Sequence, residues 1–128
     1  MTTETTQPML RMLVVDDELG ICDFLRAFFS RQGYDVRIAT SGDEALRVAQ
    51  EFLPRVVLLD IRLHGLSGLD VLESLRANDP RCTVIMMTAV LEEGIMEHVR
   101  RLGAADYITK PFSLDYLERV VLKKLAGL

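Results

Sequence analysis

The stretch "VVLLDIRLHGLSG", residues 56–68, runs four aliphatic side chains straight into Asp60 and then turns through a segment with two glycines. An unbroken apolar run of this length is what a strand covered on both faces shows. A carboxylate at its end is costly to bury unless it is paired or binds a metal. Asp60 therefore either caps a turn or stands in a pocket built around its charge.

Similar runs recur along the chain. "RMLVVD" (11–16), "YDVRIAT" (34–40), "RVVLLD" (55–60), "CTVIMMT" (82–88) and "ADYIT" (105–109) read as strands. In the second, Tyr34, Val36 and Ile38 share one side and charges the other, as suits an edge strand. Helical periods fill the gaps. Ile21, Leu25 and Phe28 form the first apolar stripe, and Gly33 supplies a stop. Ser41 with Glu44 makes a capping box ahead of Ala45, Leu46, Ala49 and Phe52. Ser67 with Asp70 repeats the device before Leu72 and Leu75. Ile95, Val99 and Leu102 mark a fourth helix ended by Gly103, and Ser113 caps a fifth carrying Leu114, Leu117, Val121 and Leu125. Five alternating strand–helix units imply an α/β, doubly wound (βα)5 fold with a parallel sheet and right-handed crossovers.

With 128 residues, 49% hydrophobic and 27% charged, the chain fits one folded domain, residues 10–128, behind a flexible tail of residues 1–9. The tail lacks the basic start and apolar stretch of a signal peptide, and the apolar runs elsewhere are too short to span a membrane. A net charge of −4 disfavours nucleic acid as a partner. The pairs Arg100–Arg101 and Lys123–Lys124 sit in helical patterns and read as solvated faces. Cys22 and Cys82 lie in apolar segments without metal-type spacing, and read as buried free thiols of a cytoplasmic protein.

In an open parallel sheet, ligands bind beyond the carboxyl ends of the strands. The first strand delivers Asp16 and Asp17 there, the third Asp60, the fourth Thr88 with Ala89, and the fifth Thr109, Lys110 and Pro111. Spacing leaves the strand order open, but adjacency of these four strands would bring the side chains together. Three ionised aspartates repel one another, and one divalent ion plus Lys110 brings their formal sum to zero. Hard oxygen donors favour Mg²⁺ or Mn²⁺. A carboxylate beside such an ion can attack phosphorus to form an aspartyl phosphate, with Lys110 and Thr88 holding the phosphoryl oxygens. Individually, each residue has a blander reading. Asp16–Asp17 before a helix is a cap, Thr88 a β-former, and Lys110 a surface lysine with its stem packed on the sheet. Their convergence on one edge favours the site.

The blocks "LVVDDE", "VVLLDIRLHGLSGLDVL", "VIMMTA" and "GAADYITKPF" occur in the order and at the spacing of response-regulator receiver domains, the phospho-accepting half of two-component signalling. The chain resembles that family over roughly residues 10 to 126. The resemblance implies a strand order of 2-1-3-4-5 and phosphorylation on Asp60. It implies that Asp17, Asp60 and the backbone carbonyl of Arg62 bind Mg²⁺ directly, with Asp16 acting through a metal-bound water. Thr88 would be the switch hydroxyl, Lys110 the phosphoryl-binding lysine, and Tyr107 an aromatic that alternates between outward and inward positions. Lys110–Pro111 would be a cis peptide. The phosphodonor would be a sensor histidine kinase or phosphotransfer protein. Phosphorylation would switch the face of the fourth helix, fifth strand and fifth helix toward an output domain, a partner protein or a homodimer. No direct nucleic-acid or membrane contact is implied, and no catalysis beyond self-phosphorylation and slow autodephosphorylation.

The chain departs from the family pattern at His64, where proline is common. His64 reads as a solvated loop residue, with a pH-sensitive role as the weaker alternative. Arg62 and Val90, two positions past Asp60 and Thr88, would flank the path of attacking water, so the phosphorylated form is expected not to be especially short-lived. Two other functions compete. A phosphorylation-independent pseudo-receiver usually lacks an acidic residue, the hydroxyl or the lysine, all of which are kept here. A Mg²⁺-dependent aspartyl-phosphate phosphatase needs an acid two residues after its nucleophile, where Arg62 cannot shuttle protons. A nucleotide-binding sheet is disfavoured because "DDELG" is not a glycine-rich phosphate loop. With no effector pattern before Leu128, a stand-alone receiver and a fragment of a longer regulator both remain open.

Overall fold

The computed structural model describes residues 9–89 and 94–126. Most of the expected tail and Val90 lie outside the described residues. The elements are β1 (Leu10–Val15), α1 (Leu19–Arg31), β2 (Tyr34–Ala39), α2 (Gly42–Phe52), β3 (Val56–Asp60), α3 (Gly68–Asn78), β4 (Thr83–Thr88), α4 (Ile95–Arg101), β5 (Asp106–Thr109) and α5 (Leu114–Ala126). The strands pair in parallel in the order β2-β1-β3-β4-β5, as the sequence motifs implied.

The apolar runs bury both faces of the central strands because side chains alternate along a strand. Leu13, Val15, Val57, Leu59, Val84 and Met86 face α2, α3 and α4. Met12, Val14, Val56, Leu58, Ile85 and Met87 face α1 and α5. Each such side chain contributes roughly 1.5–3 kcal/mol when fully buried. On the edge strand β2, Asp35 and Arg37 are exposed while Tyr34 and Ala39 are buried. Among the described residues, no helix is long and apolar enough to cross a membrane.

The helices differ from the periodic reading in detail. In α1 the fully buried side chains are Cys22, Leu25 and Phe29, while Ile21 and Phe28 are only half-buried. The stripe turns this way because Phe29 packs edge-on against both Phe28 and Tyr34, with ring centroids 5.0 and 5.4 Å away. The small Cys22 reaches the top of the sheet, where its thiol donates to the Asp16 carbonyl at 3.2 Å. The box at α2 is also modified. Ser41 Oγ accepts from the Glu44 N–H at 3.2 Å, but the Glu44 carboxylate reaches past Ser41 to the Thr40 N–H at 2.8 Å. The Ser41 backbone is instead engaged in a parallel bridge with His64. Ser67 and Ser113 cap α3 and α5 as expected, accepting from the N–H groups of Asp70 and Tyr116 at 3.3 and 3.1 Å. After α4, Gly103 takes φ +107, a left-handed conformation that side chains resist.

Both cysteines are free and buried. Burial, helped by the Asp16 charge, pushes the Cys22 thiol from an ordinary 9.0 to about 11. Burial, helped by Asp79, pushes Cys82 to about 12. The unfolded chain ionises these thiols first, so their contribution to stability is intact below pH 9 and declines as pH rises towards 11. Urea unfolding midpoints should therefore fall across that range less steeply for a Cys22→Ala, Cys82→Ala double variant than for the wild type.

Candidate functional site

Strand register delivers the polar residues to one edge. Val15 pairs with Leu59, so Asp16 and Asp60 are the next residues along neighbouring strands. Asp60 pairs with Met87, placing Thr88 one step beyond, and Thr88 pairs with Thr109, after which Lys110 follows. The Lys110 N–H continues the ladder by donating to the Thr88 carbonyl at 2.8 Å, and the Lys110–Pro111 peptide is cis, as expected.

The Lys110 ammonium donates to Asp16 Oδ2 at 2.6 Å and to Asp60 Oδ2 at 2.9 Å. The second oxygens of both carboxylates take backbone donors. Asp60 Oδ1 accepts from the Arg62 N–H at 3.2 Å, and Asp16 Oδ1 accepts from the Glu18 N–H at 2.9 Å. Asp16 thus combines the two readings of its motif, since it orders the start of α1 and also meets the lysine. Asp60 is 6% exposed, and burial raises its carboxyl above the ordinary 3.8. Hydrogen bonding and charge from Lys110, and the Arg62 N–H, pull it back, while the Asp16 charge adds to the rise. Burial alone pushes Lys110 down, but the bonds and charges of Asp16 and Asp60 outweigh it and leave the ammonium above its usual range.

Carboxylate oxygens of Asp16, Asp17 and Glu18 lie within 4.8 Å of one another. Glu18 is a member that sequence reasoning passed over, although it directly follows the Asp pair. Asp60 lies outside this group and is linked to Asp16 through the shared Lys110 ammonium. The donors are hard oxygens, which suit Mg²⁺. Both oxygens of Asp16 and of Asp60 carry hydrogen bonds, while Asp17 stands partly exposed.

The loop after β3 is held close to Asp60. A Cβ at Gly68 would sit 2.1 Å from the Asp60 carbonyl oxygen, so only glycine permits this approach, and the Gly68 N–H donates to the Ile61 carbonyl at 2.7 Å. His64 is solvated, its side chain 85% exposed, and its Nδ1 lies 3.7 Å from Asp17 Oδ2, a proximity not visible in the sequence. Thr88 is buried, and Tyr107 is 8% exposed, so its ring occupies the inward of the two expected positions. Met86 pairs with Tyr107, so Thr88, two residues past Met86, leans over the same face of the sheet as Tyr107.

An anionic nucleophile candidate, a fixed cation, a hydroxyl and an acidic oxygen cluster on one edge suit phosphoryl chemistry. Comparisons with known proteins agree. Residues 12–122 match the family model of the response regulator receiver domain. The chain is 34% identical over 115 residues to sporulation initiation phosphotransferase F of Bacillus subtilis, covering 90% of this chain and 93% of that protein. It is 38% identical to regulatory protein AtoC of Escherichia coli, of which it spans only 25%. Among solved structures, the CheY-like receiver domain protein of Methanospirillum hungatei superposes with a TM-score of 0.85 at 30% identity, covering 91% of this chain and 94% of that one. The receiver domain of NtrX from Brucella abortus gives 0.83 at 36% identity, covering 91% and 99%. Receiver domains are in general signalling modules rather than enzymes, and the family binds Mg²⁺ at an acidic pocket. With fold, pocket and sequence in accord, the chain belongs to the response regulator receiver domain family.

Proposed function

We propose that Asp60 accepts a phosphoryl group from a phosphohistidine on a sensor kinase or phosphotransfer protein, in a Mg²⁺-dependent reaction that remodels the α4–β5–α5 face. The observation that carries this reading is the single ammonium of Lys110 set between Asp16 and Asp60. A merely structural ion pair needs one carboxylate, whereas here a buried aspartate at a strand end shares its cation with a second acid beside an open oxygen cluster.

Asp17, Asp60 and the Arg62 carbonyl would hold Mg²⁺, with Asp16 in support. When bound, the ion neutralises carboxylate charge and draws the phosphoryl oxygens towards the nucleophile. An Asp60 oxygen forms the new bond to phosphorus as the bond from phosphorus to the donor imidazole nitrogen breaks, and that nitrogen departs with the electron pair. Lys110 turns from the carboxylate to the phosphoryl oxygens, and the Thr88 hydroxyl donates to another. The product raises the local charge to roughly −2 and adds acceptor oxygens. Thr88 shifts towards them. Because Thr88 and Tyr107 share a face, this shift stabilises the inward ring, an arrangement the unmodified chain already adopts. The altered face would then engage an output domain, a partner protein or a second copy. The Arg62 side chain, two residues past Asp60, would shield the phosphoryl group from water, extending its lifetime.

Incubation of the chain with Mg²⁺ and a small phosphodonor should add an acid-labile group of roughly 80 daltons, absent from Asp60→Asn and from metal-free samples. A full adduct on Asp60→Asn, seen by intact mass, would overturn the assignment. Thr88→Ala should still take up the group but lose the gain in partner or self-association that phosphorylation brings. An undiminished gain would remove Thr88 from the switch.

A stability measurement probes the same pocket. A carboxyl whose folded value is raised costs stability once pH exceeds its ordinary 3.8, and the cost is complete above the folded value. Asp60→Asn should therefore unfold at higher urea than wild type near pH 7, and lose that advantage below pH 4. Millimolar Mg²⁺ should narrow the gap by stabilising the wild type through mass action.

A further inference from the structure

We propose that a cleft at the amino-terminal edge of the sheet, lined by Arg55, Arg76 and Arg81, binds a small oligophosphate anion. It lies at the opposite end of the strands from Asp60 and is independent of the phosphoryl pocket. Backbone pairing builds its walls. The Thr83 N–H, at the start of β4, donates to the Arg55 carbonyl at 2.9 Å, and the Ala105 N–H donates to the Val84 carbonyl at 2.7 Å. The cleft has a volume of about 540 Å³, within the roughly 300–1,000 Å³ of ligand pockets. In a chain of net charge −4, its lining among the described residues holds three arginines and no carboxylate.

The three guanidiniums are held differently. Arg76, in the last turn of α3, donates from Nη1 to the Pro80 carbonyl at 2.8 Å and to the Cys82 carbonyl. Gly103 leaves room for it, since a Cβ there would lie 2.8 Å from Arg76 Nε. These contacts fix Arg76 and leave its Nη2 without a hydrogen bond among the described residues. Capping of carbonyls thus explains Arg76, but not its neighbours. The Arg55 side chain makes no hydrogen bond or ion pair among the described residues. Arg81 only approaches Asp79, at 3.7 Å, with its side chain 88% exposed. Thr83 is 7% exposed and lines the cleft, and its hydroxyl likewise has no hydrogen bond among the described residues. One fixed guanidinium, two adaptable ones and a hydroxyl are therefore open to acceptors. Planar guanidinium forks match phosphate oxygens two at a time. A single phosphate group carries only about −2, whereas a short chain of them meets the charge of all three arginines.

Calorimetric titration of the full chain with sodium tripolyphosphate, in metal-free buffer of low salt, tests the proposal. One molecule should bind per chain, with affinity falling as salt rises. An Arg55→Gln, Arg81→Gln double variant should bind at least about 10-fold more weakly, as expected for lost hydrogen bonds to a charged group. Both side chains are exposed, so the double variant should keep the wild-type urea midpoint. Arg62→Gln and Asp60→Asn, at the other edge, should bind as the wild type does. ATP and adenosine identify the source of the anion. ATP that binds no tighter than tripolyphosphate makes the phosphate chain sufficient, and ATP that binds about 10-fold tighter makes a nucleotide the ligand. Adenosine alone should not bind. Undiminished binding by the double variant, or a loss in Asp60→Asn, would overturn the inference. So would a poly-glutamate peptide that binds more tightly than tripolyphosphate, which would mark a docking patch for acidic polypeptide instead. A wild-type chain that takes up no tripolyphosphate would overturn it too, while leaving the phosphoryl pocket standing.

Discussion

One ammonium group holds the site together. Lys110 arrives from the end of β5 and closes on carboxylates from β1 and β3, at 2.6 and 2.9 Å. Removing the shared cation from such a buried cluster typically costs about 3–5 kcal/mol, because the carboxylates are left uncompensated. Here the arrangement is deliberately unbalanced, since one cation faces Asp16, Asp60 and the adjoining Asp17 and Glu18. On the proposed reading, that surplus negative charge favours a divalent ion, which in turn offsets the charge of an incoming phosphoryl group.

That balance of charges needs a frame that does not yield. The central strands are buried on both faces, and misplacing a nucleophile by about 1 Å can lower a rate by on the order of 100-fold. The loop after β3 is also secured by close contacts. Gly68 allows its backbone to lie against Asp60, Gly42 admits Leu66 against α2, and Ser41 bridges His64. The loop that flanks Asp60 is therefore positioned by close contacts at Gly68, Gly42 and Ser41.

What could be read in the sequence follows from the range of each interaction. Strand positions were legible within about a residue because an apolar run reports burial directly, and the capping serines were legible because caps are local. The rotation of α1 was not, since Cys22 and Phe29 are buried by contacts with β1 and β2 that lie outside the helix period. Strand order came from the combination of motif blocks, not from spacing, because parallel crossovers of similar length are compatible with several orders. The convergence of Asp16, Asp60, Thr88 and Lys110 was legible because the sheet edge collects strand ends. The approach of His64 to Asp17 was hidden, as it depends on a loop conformation set by a bridge to a third segment.

The rigidity of the sheet also dictates how a signal can leave the pocket. Coupling requires an element with two discrete arrangements that the site biases. Packed strands such as β3 and β4 offer none, so on the proposed reading the change passes through side chains. Thr88 lies at the pocket edge and Tyr107 lies diagonally across from it on the neighbouring strand, both facing the α4 side. A hydroxyl drawn towards new phosphoryl oxygens changes the space beside a large aromatic ring, and the ring has few places to go. Allosteric couplings of about 1–3 kcal/mol suffice for 5- to 150-fold changes in binding, and one charge-assisted hydrogen bond supplies about 1.5–3 kcal/mol. On the proposed reading, a single hydroxyl moving over a stiff sheet is thus energetically sufficient to turn phosphorylation of Asp60 into a change of surface near α4.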